Sequence, residues 1–299
     1  MIVKSSKEGI RLDQFLSDEL DLSRTKVQKL IKNDKVFVND KNVSSSYKVC
    51  LNDEINILDD LDYSIDIKGE NIPLDIVYED SNLLIINKKS GMVVHPAAGN
   101  FEHTLVNALI YHYHMDANDN MRPGIVHRLD KDTSGLMVVA LDEKTLELLS
   151  NMMKEKQVER KYLAIVDGVI PHDTGTIDAP IGRDLHNRQK MAVTDINSKN
   201  AVTHFRVLKR FLTHTLIECK LDTGRTHQIR VHMAYIGYPI SNDPVYGKKK
   251  ICTSFGQMLH SYSINFVHPI TGKTLSYTVD PPEEFQKYLE KIEEEDNIN

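Results

Sequence analysis

Apolar positions near the start of the chain recur at helical spacing. Leu12, Phe15, Leu16 and Leu20 form one stripe. A second helix follows, for which Ser23 is a suitable N-cap. Val27, Leu30 and Ile31 share one of its faces, and at about 100° per residue Lys26, Lys29 and Lys32 fall on the opposite one. The period then shortens: Val36-Phe37-Val38 reads as a strand, and after polar turns Ile55 and Ile57 alternate. The pattern predicts a compact helix-rich module over residues 1–60 with a basic helix face. Residues 61–74 have no period and carry Gly69 and Pro73, so they read as a linker.

From residue 75 strand and helix signals alternate. Leu83-Leu84-Ile85-Ile86 and Leu136-Met137-Val138-Val139-Ala140 are continuous apolar runs, as buried strands require. Thr104 can cap a helix bearing Leu105, Ala108 and Leu109, and Leu146, Leu149 and Met153 mark another. Further strands are expected over 162–169, 203–208 and 215–221, and a helix over 226–235. No repeat at a fixed period occurs. The expected class is α+β: the small N-terminal module, then a mixed sheet with packed helices over 75–285, then an acidic tail over 286–299.

Composition narrows the class. At 299 residues, with 40% hydrophobic and 27% charged positions, the chain suits two globular domains and excludes disorder over most of its length. No window approaches the ~18 uninterrupted apolar residues of a membrane span, and the first ten residues carry charges where a signal peptide needs an apolar core. Cys50, Cys219 and Cys252 are far apart and suggest neither a disulfide framework nor a zinc site, as expected of a cytoplasmic protein. The net charge of −6 argues against a nonspecific nucleic-acid coat. Charge is segregated, however: residues 24–48 are mostly basic, and acids cluster near the C-terminus.

Candidate chemistry concentrates in one polar run between apolar stretches, His127-Arg128-Leu129-Asp130-Lys131-Asp132-Thr133-Ser134-Gly135. Composition alone would make it a surface turn. Its order, HRLDKDTSG, resembles the signature of the RluA-type pseudouridine synthases. RKYLAIV at 160–166, GRTHQIRVH at 224–232, GMVVHP at 91–96 and LHSYSINFVHP at 259–269 resemble further segments of that family, in its order. The resemblance implies a pseudouridine synthase fold on a mixed, largely antiparallel sheet. The activity implied is isomerisation of uridine in RNA: the glycosidic bond to nitrogen breaks, the uracil turns, and the sugar rejoins at carbon 5. It also implies that Asp130 is the catalytic carboxylate, that Arg225 pairs with it, and that Tyr162 stacks on the target uracil and lies near the carbon 5 proton. Arg128 would hold the place of the extruded nucleotide or bind phosphate. The base must be extruded or already unpaired. No cofactor is implied.

The stretch SRTKVQKLIKNDKVFVND, with the preceding RLDQFL, resembles the small RNA-binding domain named after a small-subunit ribosomal protein. That resemblance makes Arg24, Lys26, Lys29 and Lys32 candidate RNA contacts. Asp34 and Asp40 stand where that family usually has glycine, and aspartate tolerates left-handed backbone better than most residues. The branch carrying this module points to large-subunit ribosomal RNA as substrate, with transfer RNA or a non-catalytic assembly role as alternatives. A glycosidase using Asp130 and Asp132 fails because residues two apart on a strand point the same way. A kinase reading lacks the glycine-rich loop and D-F-G. His103, His112, His114 and His127 have no shared-face spacing for a metal. The expected state is a monomer with an RNA partner, no metal and no membrane association.

Overall fold

A computed structural model of the chain describes residues 2–20, 22, 24–58, 67–96, 100–115, 123–185, 187, 190–247, 251 and 253–298, apart from the side chains of Lys26 and Ile298. The Ser23 cap, the Lys26 side chain and Cys252 therefore lie outside what is described. The chain divides into two compact units, Met1–Ile65 and Asp66–Asn299.

The first unit comprises β1 (Ile2–Lys4), α1 (Leu12–Leu20), α2 (Arg24–Lys32), β2 (Val36–Val38), β3 (Lys41–Asn42) and β4 (Glu54–Ile57). Its strands pair antiparallel in the order β1-β4-β2-β3. The apolar stripes of both helices meet over this sheet: Leu12, Phe15, Leu16, Val27, Leu30, Ile31, Val36, Val38, Ile55 and Ile57 form one core. Asp34 and Asp40 adopt left-handed backbone, with φ of 55° and 62°. A buried carboxylate ties the helices together. Asp13 of α1 accepts from Arg11 Nε at 3.0 Å and Nη2 at 3.1 Å, from Arg24 Nη2 at 3.0 Å and from Gln28 Nε2 at 2.5 Å. The hydrogen bonds from Arg11 above all hold its carboxyl far below the usual range. Arg24 is thus tied to the fold through one edge of its guanidinium although it is exposed, as Lys29 and Lys32 are.

The second unit comprises β5 (Ile76–Glu79), β6 (Leu83–Lys88), α3 (Leu105–Tyr113), β7 (Ser134–Ala140), α4 (Glu143–Lys154), β8 (Glu159–Asp167), β9 (Thr174–Asp178), β10 (Ile181–Arg183), β11 (Met191–Val193), β12 (Val202–Arg210), β13 (His214–Leu221), α5 (Gln228–Tyr235), β14 (Leu259–Val267), β15 (Thr274–Thr278) and α6 (Glu283–Ile298). One nine-stranded sheet runs β5-β6-β7-β14-β8-β13-β12-β9, with β15 paired to β14. Its pairings are antiparallel except the contact of β7 with β14. Alternate residues of β6 and β7 serve two cores. Leu84, Ile86, Met137 and Val139 pack with α3 and α5, while Leu83, Ile85, Leu136 and Val138 pack with Leu149 of α4. Burial on both faces explains why these strands read as unbroken apolar runs. Thr104 caps α3 through a capping box with Asn107, as expected.

Three expectations are corrected. Residues 286–299 do not form a separate acidic tail: α6 runs to Ile298, with Phe285 and Ile292 buried in the main core and Tyr288 and Leu289 packed on it. The expected linker over 61–74 is not wholly a connector. Residues 59–66 lie outside the description, but Glu70 N–H donates to Asn107 O at 2.9 Å and Asn107 Nδ2 donates to Lys68 O at 2.8 Å, fastening this stretch to α3. The helix expected over 226–235 starts at Gln228, because His227 before it is left-handed, with φ of 57°.

The parallel contact at the sheet's centre is unusually close. Ser261 of β14 faces Gly135 of β7, whose φ is +113°, and a Cβ there would lie 2.2 Å from Ser261 O. One residue earlier, Ser134 Oγ donates to His260 Nδ1 at 2.8 Å while His260 Nε2 faces Val279 O at 3.3 Å. Burial pushes the imidazole down to about 4, so it is held neutral. Gly135→Ala is expected to cost at least about 3 kcal/mol in urea unfolding, or to prevent folding. His260 binds its proton near pH 6.5 when unfolded and only near 4 when folded. The unfolded state therefore holds more protons between those values, and stability falls as pH drops from about 6.5 to 4. Unfolding free energies measured across that window should decline less steeply in His260→Gln.

Candidate active site

Asp130 lies in the loop before β7, and that loop is pinned from several sides. Thr133 N–H donates to Asp130 O at 3.1 Å, and Gly91 N–H to Lys131 O at 3.0 Å. Beneath it the buried Lys88 donates from Nζ to the carbonyls of Lys89, Met92 and Lys131, each at 2.9 Å. Burial pushes this amine down to about 7 against the upward pull of Asp130 and Asp132. The Ser90 hydroxyl reaches Asp132 O, and Gln257 Nε2 donates to Thr133 Oγ1 at 2.9 Å. The backbone carrying the carboxylate is thereby fixed by groups from distant segments.

Asp130 faces a cleft of about 620 Å³, within the usual range of small-ligand sites. Arg128, Arg160, Tyr162, Arg225, His227 and Arg230 also line it. The partner of Asp130 is Arg230, whose Nη1 donates to Asp130 Oδ2 at 2.9 Å. The other edge of the same guanidinium is gripped by Asp243, from Nε to Oδ2 at 2.7 Å and from Nη2 to Oδ1 at 2.9 Å. Asp243 Oδ1 also accepts from Val245 and Tyr246 N–H at 2.8 and 3.0 Å. The Tyr246 ring lies 5.1 Å from the guanidinium carbon. Burial disfavours charge on Arg230, but the hydrogen bonds of Asp243 and the charge of Asp130 outweigh it and raise its pKa. Burial likewise opposes ionisation of Asp243, and Arg230 overrides it, lowering that pKa. His227 Nε2 stands 3.9 Å from Asp130 Oδ1, and burial lowers its pKa.

The expected pairing of Arg225 with Asp130 is therefore corrected. Arg225 precedes α5, and Gln228 Oε1 accepts from its backbone N–H at 2.9 Å. Its Nε donates to Asn200 O at 2.9 Å, so the side chain runs along the outer wall of the cleft. Tyr162, on β8, is buried against the same cleft, and burial raises its phenol pKa, opposed by the charge of Arg160. Arg128 is exposed at the cleft's margin. Arg24, Lys29 and Lys32 belong to the other unit. Asp132 is not among the residues lining the cleft, which removes the paired-carboxylate arrangement. His103 pairs with Glu70 and His112 with Ile72 O, and no metal-holding group of His, Cys, Asp or Glu occurs among the described residues.

Arg230, Asp243 and Lys88 were not singled out from the sequence. Arg230 sits among Gln228, Ile229, Val231, His232 and Met233, all buried in the fold, which the residue pattern alone does not show. A charge inside such a helix must find a partner. Asp243→Ala leaves the buried guanidinium half-paired and is expected to cost about 3–5 kcal/mol. Arg225→Ala should change stability by less than about 1 kcal/mol. Urea denaturation of both variants checks the contrast.

Comparison with known proteins identifies the family. Residues 82–235 match the family described as RNA pseudouridylate synthase, and residues 10–55 match the S4 domain. A Bacillus subtilis relative described as an uncharacterized RNA pseudouridine synthase is 49% identical over 285 residues, covering 94% of each chain. A "Ribosomal large subunit pseudouridine synthase D" of Neisseria meningitidis serogroup B is 44% identical over 294 residues, covering 94% of this chain and 78% of that one. Among solved structures, human RNA Pseudouridylate Synthase Domain Containing 1 superposes with a TM-score of 0.58 at 28% identity, covering 72% of this chain and 86% of its own. With a family match over residues 82–235 and relatives this similar over 94% of this chain, the chain belongs to the RNA pseudouridine synthase family, isomerases that carry here an N-terminal S4 domain.

Proposed function

We propose that the chain converts uridines of large-subunit ribosomal RNA to pseudouridine, with Asp130 as the catalytic carboxylate. The observation that carries this reading is the 2.9 Å pair between Asp130 and the doubly held Arg230 in a cleft shared with Tyr162. The ribosomal target is supported by the S4 match and by the name of the Neisseria relative. The exposed Lys29 and Lys32 on α2 are placed for phosphate contact, whereas Arg24 supports the fold through Asp13. The reading includes a monomer acting in the cytoplasm. Among the described residues no helix is long and apolar enough to cross a membrane.

Each group then has a task. Breaking the bond between C1′ and N1 draws positive charge onto the sugar, which an anionic carboxylate at its face offsets or captures. Arg230 orients Asp130 by occupying one of its oxygens, which leaves the other for the cleft. Tyr162 offers a ring face to the freed uracil. Its phenol, kept protonated by burial, stands beside the position from which the carbon 5 proton must leave. Arg128 at the margin and Arg225 on the outer wall serve to hold the strand on either side of the extruded nucleotide.

Asp130→Asn should fold normally and lose at least about a thousandfold in turnover on transcribed large-subunit ribosomal RNA. Arg225→Ala should keep most of its rate. Mapping pseudouridines in ribosomal and transfer RNA from a strain lacking the gene identifies the position. Full activity of Asp130→Asn, or losses confined to transfer RNA, would refute the respective half of the proposal.

A further inference from the structure

Arg160 is not explained by the chemistry assigned so far. It lies on β8 two residues before Tyr162, so both side chains leave the strand on the same face, ~6.6 Å apart along it. Only 8% of Arg160 is exposed, yet among the described residues it has no ion-pair partner, and its Nε is sealed without an acceptor. A second donor on this cleft shares that condition. His127 Nε2 accepts from Val138 N–H at 3.1 Å, so the neutral ring carries its proton on Nδ1, which is buried and unpaired. Burial first, then the neighbouring charge of Arg160, pushes His127 down to about 3 and keeps it uncharged.

A buried cation without a counterion is costly, and most folds avoid or pair it. Arg230, on the same cleft, shows the ordinary solution, with carboxylates on both edges of its fork. Arg160 has the same guanidinium and no carboxylate. Gly224 lies beside it: a Cβ there would stand 3.6 Å from Arg160 Nη1, in ordinary van der Waals contact. Lys154, Arg225 and Arg128 add positive charge around the opening. A planar fork suits a tetrahedral oxyanion.

We propose that Arg160 is the receptor for a backbone phosphate of the RNA, the one attached to the nucleotide held over Tyr162. This rests on reading the cleft as the uridine site and adds to it the group that fixes the nucleotide's sugar end. A base and its phosphate are separated by one ribose, and Tyr162 and Arg160 are separated by one strand repeat on a single face. The unpaired guanidinium makes the free enzyme less stable than it could be, and the arriving phosphate relieves the strain. Phosphate capture thereby seats the ribose against Asp130.

The test compares the full-length wild type with Arg160→Met and Arg160→Lys. Uridine, uridine 3′-monophosphate and uridine 5′-monophosphate are titrated by NMR, with thermal unfolding measured in parallel. One monophosphate should bind the wild type about tenfold more tightly than uridine, the size of one charge-assisted contact. Arg160→Met should reduce that preference below about twofold and unfold at or above the wild-type temperature, while Arg160→Lys should retain part of the preference. Equal binding of all three ligands by the wild type, no binding of any, or an undiminished preference in Arg160→Met would overturn the proposal. So would a marked loss of stability in both variants, which would make the arginine structural. Pseudouridine formation in transcribed ribosomal RNA is followed alongside. An inactive wild type that keeps an Arg160-dependent preference refutes the function and leaves the phosphate site standing, whereas an active wild type without that preference does the reverse.

Discussion

The guanidinium of Arg230 is the joint on which the candidate active site turns. It has two edges and two carboxylates, and the division is unequal. Asp243 takes two donors in a fork and accepts two backbone N–H groups besides, whereas Asp130 takes a single donor. The first pair fixes the arginine; the second lets the arginine fix the aspartate without consuming both of its oxygens. Charge balance follows from the same arrangement. Two carboxylates share one cation, and the one held by the single contact, Asp130, is the one that lines the cleft. Removing Asp243 would therefore disturb more than packing, because Arg230 would be free to turn fully onto Asp130.

The scaffold beneath is organised to keep that geometry stiff. The turn bearing Asp130 runs into β7, and β7 lies so near β14 that only glycine fits at position 135. From below, Lys88 gathers three carbonyls of two loops around one amine. Tyr162 and Arg160 stand on β8, the strand on the other side of β14. Supporting groups of this kind hold a side chain in one place, which is what an oriented reaction requires.

What was legible in the sequence follows from how local each signal is. The unbroken apolar runs at 83–86 and 136–140 announced strands buried on both faces, and Thr104 announced a helix start. Asp34 and Asp40 could be read as left-handed turns because that tolerance belongs to the residue type. The choice between Arg225 and Arg230 was not local. Both belong to one short motif five residues apart, and what separates them is that α5 is buried along most of its length while the turn before it is open to solvent. The acid density of the last twenty residues concealed Phe285, Tyr288, Leu289 and Ile292, whose spacing of three, four and seven is a helical stripe. Asp243 and Lys88 gave no sequence signal, since their meaning lies in partners supplied by other segments.

The position of β14 between β7 and β8 has a consequence for biogenesis. The central strand of the sheet comes from residues 259–267, whereas its neighbours come from 134–140 and 159–167. Until that late segment emerges from the translating ribosome, the two halves of the sheet have no strand to join them, and Asp130 belongs to one half while Tyr162 belongs to the other. Such non-local pairing is slow to form and late in synthesis. A nascent chain therefore cannot join the strand that follows Asp130 to the strand that bears Tyr162 before residues 259–267 are free to pair.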